Sequence, residues 1–198
     1  MIEKEIKILQ VNKKKLMARL EELGAKKVFE GTVHDVYYDY PKGKIDGEGR
    51  SFRVRNKWGE HIYTIKQKQR EKDLSKMRTV IELEHKITDV DSFKRVLEKY
   101  GLKKSREKKK QRVSYQMGDI HFDIDKYSWI PCLLEIEAAW FLTVKSWLEK
   151  LWLQDNALKN FGSRWLFRYY GVSEQNGKKK LRSKKAQLKK KTKKKSPK

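Results

Sequence analysis

Apolar and charged residues alternate with a period of two through much of the chain as far as Ala138. Successive side chains of a strand point to opposite faces, so this alternation predicts half-buried strands. In Ile2–Ile8, Glu3, Glu5 and Lys7 share one face and Ile6 and Ile8 the other. The pattern returns in His34–Tyr40, Ser51–Lys57, His61–Lys68, Arg78–His85, Gln111–Gln116, Asp119–Lys126 and Leu133–Ala138, giving eight predicted strands. Ser51–Lys57 and His61–Lys68 read as a hairpin around Trp58-Gly59, and Met117-Gly118 turns a second hairpin.

Two stretches switch to helical spacing. Asn12 is placed to cap a helix carrying Leu16, Met17, Leu20 and Leu23, which Gly24 stops. Asp89 or Asp91 precedes a second, with Phe93, Val96, Leu97 and Tyr100 on one face and Gly101 at its end. Each helix opens toward a strand, and Leu20–Lys27 resembles Leu97–Lys104, which points to a duplicated half-domain plan. After the last strand the chain turns helical, with starts predicted at Thr143, Asp155 and Ser163. Pro41–Gly49 reads as a loop, and Gln69–Met77 as a mobile one.

Sorted by face, the strand charges collect into one set: Glu3, Glu5 and Lys7; Arg53 and Arg55; Lys66; Arg78, Glu82 and Glu84; Lys110 and Arg112; Asp123 and Asp125; Glu135 and Glu137. A single antiparallel sheet can leave such a face in water. Seven strands behaving alike, with three helices to cover the apolar side, instead predict an α+β fold. Its centre is a closed eight-stranded antiparallel β-barrel with a charged lumen, and closure removes the unpaired edges.

Composition adds a polyanionic partner. The 198 residues carry 50 Lys or Arg against 26 Asp or Glu, a net charge of +24. Residues 178–198 hold thirteen of those bases and no acid, which leaves +11 for the rest. The domain is expected over 1–175. A lysine-rich tail over 176–198 lacks the apolar area to offset ordering and is expected to be disordered. It is suited to nonspecific, salt-dependent contact with nucleic acid or polyphosphate. The single Cys132 excludes an intramolecular disulfide and a CxxC zinc site, and fits a cytoplasmic location. No run reaches the length of a membrane span, so no membrane contact is expected.

The two signs of charge suit one chemistry. Arg53, Arg55, Lys66, Arg78, Lys110 and Arg112 match the oxygens of several phosphates. The carboxylates are poor phosphate ligands but good ones for a hard divalent cation, Mg²⁺ or Mn²⁺. No Walker motif is present. Glu3-x-Glu5-x-Lys7 resembles the ExExK signature of the CYTH superfamily, the triphosphate tunnel metalloenzymes. The ordered remainder of the charged set extends the resemblance over residues 1–172. Ile130-Pro131-Cys132 and Trp140-Phe141 depart from the family pattern without touching that set.

The resemblance implies a triphosphate held by Lys7 and the six bases in a tunnel. It implies metal on Glu3, Glu5, Glu82, Glu84, Asp123, Asp125, Glu135 and Glu137, with Glu5 and Lys7 as the catalytic pair. The expected activity is divalent-metal-dependent hydrolysis of an inorganic, thiamine or nucleoside triphosphate. The alternatives are a class IV adenylyl cyclase forming cyclic AMP and pyrophosphate, and a non-catalytic polyphosphate- or RNA-binding module. A homodimer is a further expected partner. Asp39 is open between metal and turn roles, Lys108 and Lys109 read as a solvated run, and His121 as structural. The six Trp are expected in the core or at an oligomer contact.

Overall fold

The computed structural model describes residues 2–69 and 77–172. The central part of the expected mobile loop, residues 70–76, and the lysine tail lie outside the described residues.

In chain order the elements are β1 (Ile2–Leu9), α1 (Lys13–Glu22), β2 (Lys26–Asp39), the single turn α2 (Lys44–Gly47), β3 (Arg50–Lys57), β4 (Glu60–Lys68) and β5 (Arg78–Ile87). There follow α3 (Val90–Lys99), β6 (Lys103–Met117), β7 (Ile120–Lys126), β8 (Leu133–Glu137), α4 (Phe141–Lys150), β9 (Leu158–Lys159) and α5 (Ser163–Tyr169). The strands lie in the order β5-β4-β3-β2-β6-β7-β8-β1, and β1 pairs with β5 to close the ring. Every pairing is antiparallel, and β9 adds a short ninth strand beside β1 at Lys7 and Ile8.

The caps match the sequence. The Asn12 side chain accepts from the Lys15 amide and starts α1, and Asp89 accepts from Asp91 and Ser92 to start α3. At the β3–β4 turn Trp58 and Gly59 both have positive φ, 56° and 80°, the twist a two-residue hairpin requires.

The barrel is polar inside and apolar outside. Its main core therefore lies between wall and helices: Ile6, Ile8, Tyr115, Phe122, Leu134 and Ile136 pack on Leu16 and Leu20 of α1 and on Val144, Trp147 and Leu148 of α4. α3 covers the opposite wall through Leu97 and Phe93, which meet Tyr38, Val54, Phe52 and Tyr63. α5 seals a third patch, with Leu166 and Phe167 against Leu9, Tyr127, Ile130 and Leu133. Truncating Trp147 would remove about 3–5 kcal/mol of this packing.

Several expectations need correction. β2 starts at Lys26 and β6 at Lys103, both well before the alternation is legible, because the two form a thirteen-pair ladder with each other. That long-range pairing holds a polar run in strand form, and its two bulges break the period locally. Thr143 lies inside α4, whose N-cap position is Trp140, and no helix starts at Asp155. Of the six Trp only Trp147 is buried; Trp58, Trp129, Trp140, Trp152 and Trp165 are each more than half exposed. Asp39 has a turn role: its carboxylate accepts from the Ile45 and Asp46 amides and caps α2.

Candidate active site

The strand faces predicted to be charged do line one cavity, of about 1120 Å³. Period two on β1 sends Glu3, Glu5 and Lys7 inward while Ile6 and Ile8 enter the core. β8 does the same with Glu135 and Glu137, and the register sets Glu5 beside Glu137 and Lys7 beside Glu135. The two strands bearing an ExE pattern are thus neighbours. Of the predicted residues, only Asp125 is absent from the cavity lining. It lies fully buried just behind, accepting from Lys110 Nζ at 2.5 Å and from Arg112 Nε at 2.6 Å and Nη2 at 2.7 Å.

Opposite charges interlock across strands. Lys7 Nζ lies 2.9 Å from Glu5 and 3.1 Å from Glu135, and Arg78 reaches the same Glu5 at 2.6 Å. Arg112 also pairs with Glu135 at 2.9 Å and with Asp123. Arg55 forks onto Asp35 at 2.7 and 3.2 Å. Lys66 bridges Glu3 and Glu82, both at 2.5 Å. Arg53 donates to Thr64 at 3.0 Å and to Glu84 at 3.3 Å. Its Nε, however, is buried without a hydrogen-bond partner among the described residues. A buried guanidinium N–H without an acceptor is a costly arrangement.

The acids are unevenly titrated. Burial pushes the Glu5 carboxyl up, but Lys7 and Arg78 outweigh burial and bring it down to about 2. Burial works against Glu135 too, and Lys7, Lys110 and Arg112 hold it well below the ordinary range. At the start of β1 the balance reverses. Glu82 rises to about 9 through burial and its hydrogen bond with Glu3, while that bond and the Lys66 charge lower Glu3 against burial. Glu137 is raised to about 7 by burial and the nearby charges of Glu3 and Glu5. It makes no ion pair among the described residues. The bases show the same crowding: burial first and then Arg112 push Lys110 down.

These charges are graded along the axis. Glu3, Glu82, Glu84, Glu137 and Asp123 gather toward the end where β1 starts and β8 finishes. Arg50, Lys68, Arg106 and Lys108 line the other end, where β3 and β6 start and β4 finishes, and Arg78 stands between the two ends at Glu5.

A CYTH domain model matches residues 1–162. The chain belongs to the CYTH family. A Methanocaldococcus jannaschii protein named as a candidate adenylate cyclase is 30% identical over 137 residues, spanning 69% of this chain and 77% of its own. Among solved structures, a Pyrococcus horikoshii protein superposes with a TM-score of 0.64 at 22% identity, covering 77% of this chain and 92% of that one. A Hippeastrum protein, described as a candidate adenylyl cyclase with a dominant triphosphatase activity, gives 0.59 at 15%, covering 86% and 97%. At such identities the two structures establish the fold. Members of the CYTH family act as triphosphatases or adenylyl cyclases, bind triphosphates in the tunnel and depend on divalent metal.

The residues present fit such a cation by donor chemistry. At the acidic end Glu3, Glu82 and Glu137 are carboxylates in excess of nearby positive charge, so two of them hold protons more tightly than usual. Hard oxygen donors crowded in this way favour Mg²⁺ or Mn²⁺ over a soft ion. Among the described residues no three acidic, His or Cys side chains are preassembled around a cation position. The carboxylates are instead tied up with Lys66, Arg53 and Arg112.

Sequence reading missed four members of this CYTH tunnel. Lys108, read as part of a solvated run, is 5% exposed and continues the period-two spacing of Lys110 and Arg112. Asp35 anchors Arg55 and is buried. Arg106 and Lys108 stand over the Tyr37 ring, 4.0 and 4.6 Å from its centroid. Burial raises the Tyr37 phenol, yet Lys108, Arg53 and Arg106 outweigh it and bring it to about 7. Asp35 and Tyr37 were legible as one face of His34–Tyr40, had that strand been sorted like the others. His121 lies on the cavity wall near the acidic mouth.

Proposed function

We propose that the protein hydrolyses a triphosphate in a reaction that requires Mg²⁺ or Mn²⁺. The observation that carries the reading is the axial grading of the lumen, acids toward one end and bases toward the other. An inorganic, thiamine or nucleoside triphosphate supplies oxygens to the bases. Arg53, Arg55, Lys66, Arg78, Lys110 and Arg112 bind them, and Lys7 adds a buried charge beside Glu5 and Glu135. Glu3, Glu5, Glu82, Glu84, Asp123, Asp125, Glu135 and Glu137 form the acidic set, from which Glu3, Glu82, Glu84 and Glu137 would hold the cation at the acidic end. When bound, the cation supplies charge neutralisation at phosphate oxygens and acidifies water.

The chain's own part is positioning and electrostatics. The lumen charges are fixed before substrate arrives, so little reorganisation is needed when negative charge shifts toward the leaving oxygen. Glu5, ionised down to about pH 2, keeps a constant negative charge that holds Lys7 and Arg78 in place. Water attacks the terminal phosphorus in line, the P–O bond to the bridging oxygen breaks, and orthophosphate leaves.

The name of the M. jannaschii relative favours a second reading, in which a ribose 3′-hydroxyl attacks the α-phosphorus of ATP and pyrophosphate leaves. Incubation with tripolyphosphate, thiamine triphosphate or ATP, with Mg²⁺ or Mn²⁺, separates the two. Orthophosphate is the expected product; cyclic AMP with pyrophosphate would support the second reading instead. Tight metal-independent binding with no turnover would sink both.

A further inference from the structure

The basic mouth carries a group that a bare triphosphate cannot use. Residues 160–165 cross this mouth and are fixed to it at two points. Lys108 Nζ donates to Ser163 Oγ and Arg164 pairs with Asp46 of α2, while Gly162 lies so close to Arg78 that a β-carbon there would stand 3.7 Å from the guanidinium. Two of those wall residues, Lys108 and Arg78, belong to the charged lumen itself. The anchoring sets the Trp165 indole into the wall of the same cavity that holds Glu5 and Lys7.

Trp165 takes no part in the apolar patch that its helix neighbours Leu166 and Phe167 build, and it is 59% exposed. Arg168 Cζ stands 5.0 Å from its ring centroid, also on the cavity wall. Packing therefore does not explain the indole. An exposed indole with a guanidinium beside it, at the rim of a phosphate-binding lumen, is a stacking platform for a planar ring attached to the phosphates. The cavity is also larger than three phosphates require.

We infer that Trp165, with Arg168, is a specificity-determining subsite for the planar heteroaromatic group of an organic triphosphate. The site thus prefers a nucleoside or thiamine triphosphate to inorganic tripolyphosphate. The inference rests on the lumen being a triphosphate site. It requires the terminal phosphate to point toward the acidic end and the organic group to remain at the basic mouth.

The test is equilibrium binding by calorimetry of the full chain, with ATP, thiamine triphosphate and tripolyphosphate measured separately. Trp165→Ala is expected to weaken at least one organic ligand about tenfold. Tripolyphosphate affinity should stay within about twofold, and Trp165→Phe should recover most of the loss. Whichever organic ligand responds identifies the ring, base or thiamine. Equal effects on all three ligands, or none on any, would overturn the subsite. Turnover by the unaltered protein is scored apart: its absence would count against hydrolysis, while the pattern of affinities would still decide the subsite.

Discussion

The two ends of the tunnel are built from the same strands yet solve opposite electrostatic problems. At the acidic end carboxylates crowd one another, and protonation is the relief: Glu82 is raised to about 9 and Glu137 to about 7. At the basic end cations crowd, and the relief comes from rings, hydroxyls and a lowered phenol: Arg106 and Lys108 over Tyr37, and Lys108 on Ser163. Midway, where Glu5 meets Lys7 and Arg78, charges of both signs pair closely and every group stays ionised. Each end thus carries an excess of one sign. In the proposed reaction a metal-bound polyanion would relieve both at once, which neither a simple cation site nor a simple anion site would do.

The comparison breaks most sharply at its midpoint. Glu5→Ala leaves Lys7 and Arg78 short of a partner and should lower turnover by about 10²–10³-fold. Steady-state kinetics with tripolyphosphate measures it, and a near-normal rate would remove Glu5 from the machinery. The ends should then separate by what they respond to. The double change Glu3→Gln with Glu137→Gln should raise the metal concentration for half-maximal turnover by at least the about tenfold that losing a supporting group costs. Metal-free affinity for tripolyphosphate should not fall with it. Arg53→Ala should do the reverse, weakening tripolyphosphate about 10- to 100-fold while leaving the metal requirement in place.

A smaller effect is spectroscopic. Tyrosinate absorbance should appear near pH 7 and vanish in Tyr37→Phe. Because the folded phenol titrates below its ordinary value of 10.0, the native state releases this proton first. Stability from this group therefore grows as pH rises from about 7 to about 10 and is lost as pH falls through 7. The least effect is expected from removing residues 178–198: turnover within about twofold, with weaker, salt-sensitive retention on nucleic acid.

Most of this architecture was legible because a period of two is a local signal and the lumen repeats it strand after strand. Glu3-x-Glu5-x-Lys7 and Glu135-x-Glu137 announced themselves. What stayed hidden depends on partners far along the chain. Lys103–Lys109 has no apolar alternation of its own, and only its ladder with β2 makes it a strand. Lys108 was masked as the first of three consecutive lysines. Tyr37 was passed over because a phenol carries no formal charge, and its chemistry comes entirely from Lys108, Arg53 and Arg106. Of the indoles, expected in the core or at an oligomer contact, only Trp147 takes a core place, between helix and wall.

The seam that closes the ring has a consequence for how activity is acquired. Glu5 of β1 is registered both with Arg78 and with Glu137, so its immediate surroundings join segments about 70 and about 130 residues distant. Such nonlocal pairing is slow to form and scarcely stable in fragments. No hairpin, half-barrel or helix-capped intermediate brings Glu5, Lys7, Arg78 and Glu135 together. Recovery of turnover during refolding should therefore coincide with the last cooperative step, which makes catalysis a direct clock for completion of the native state.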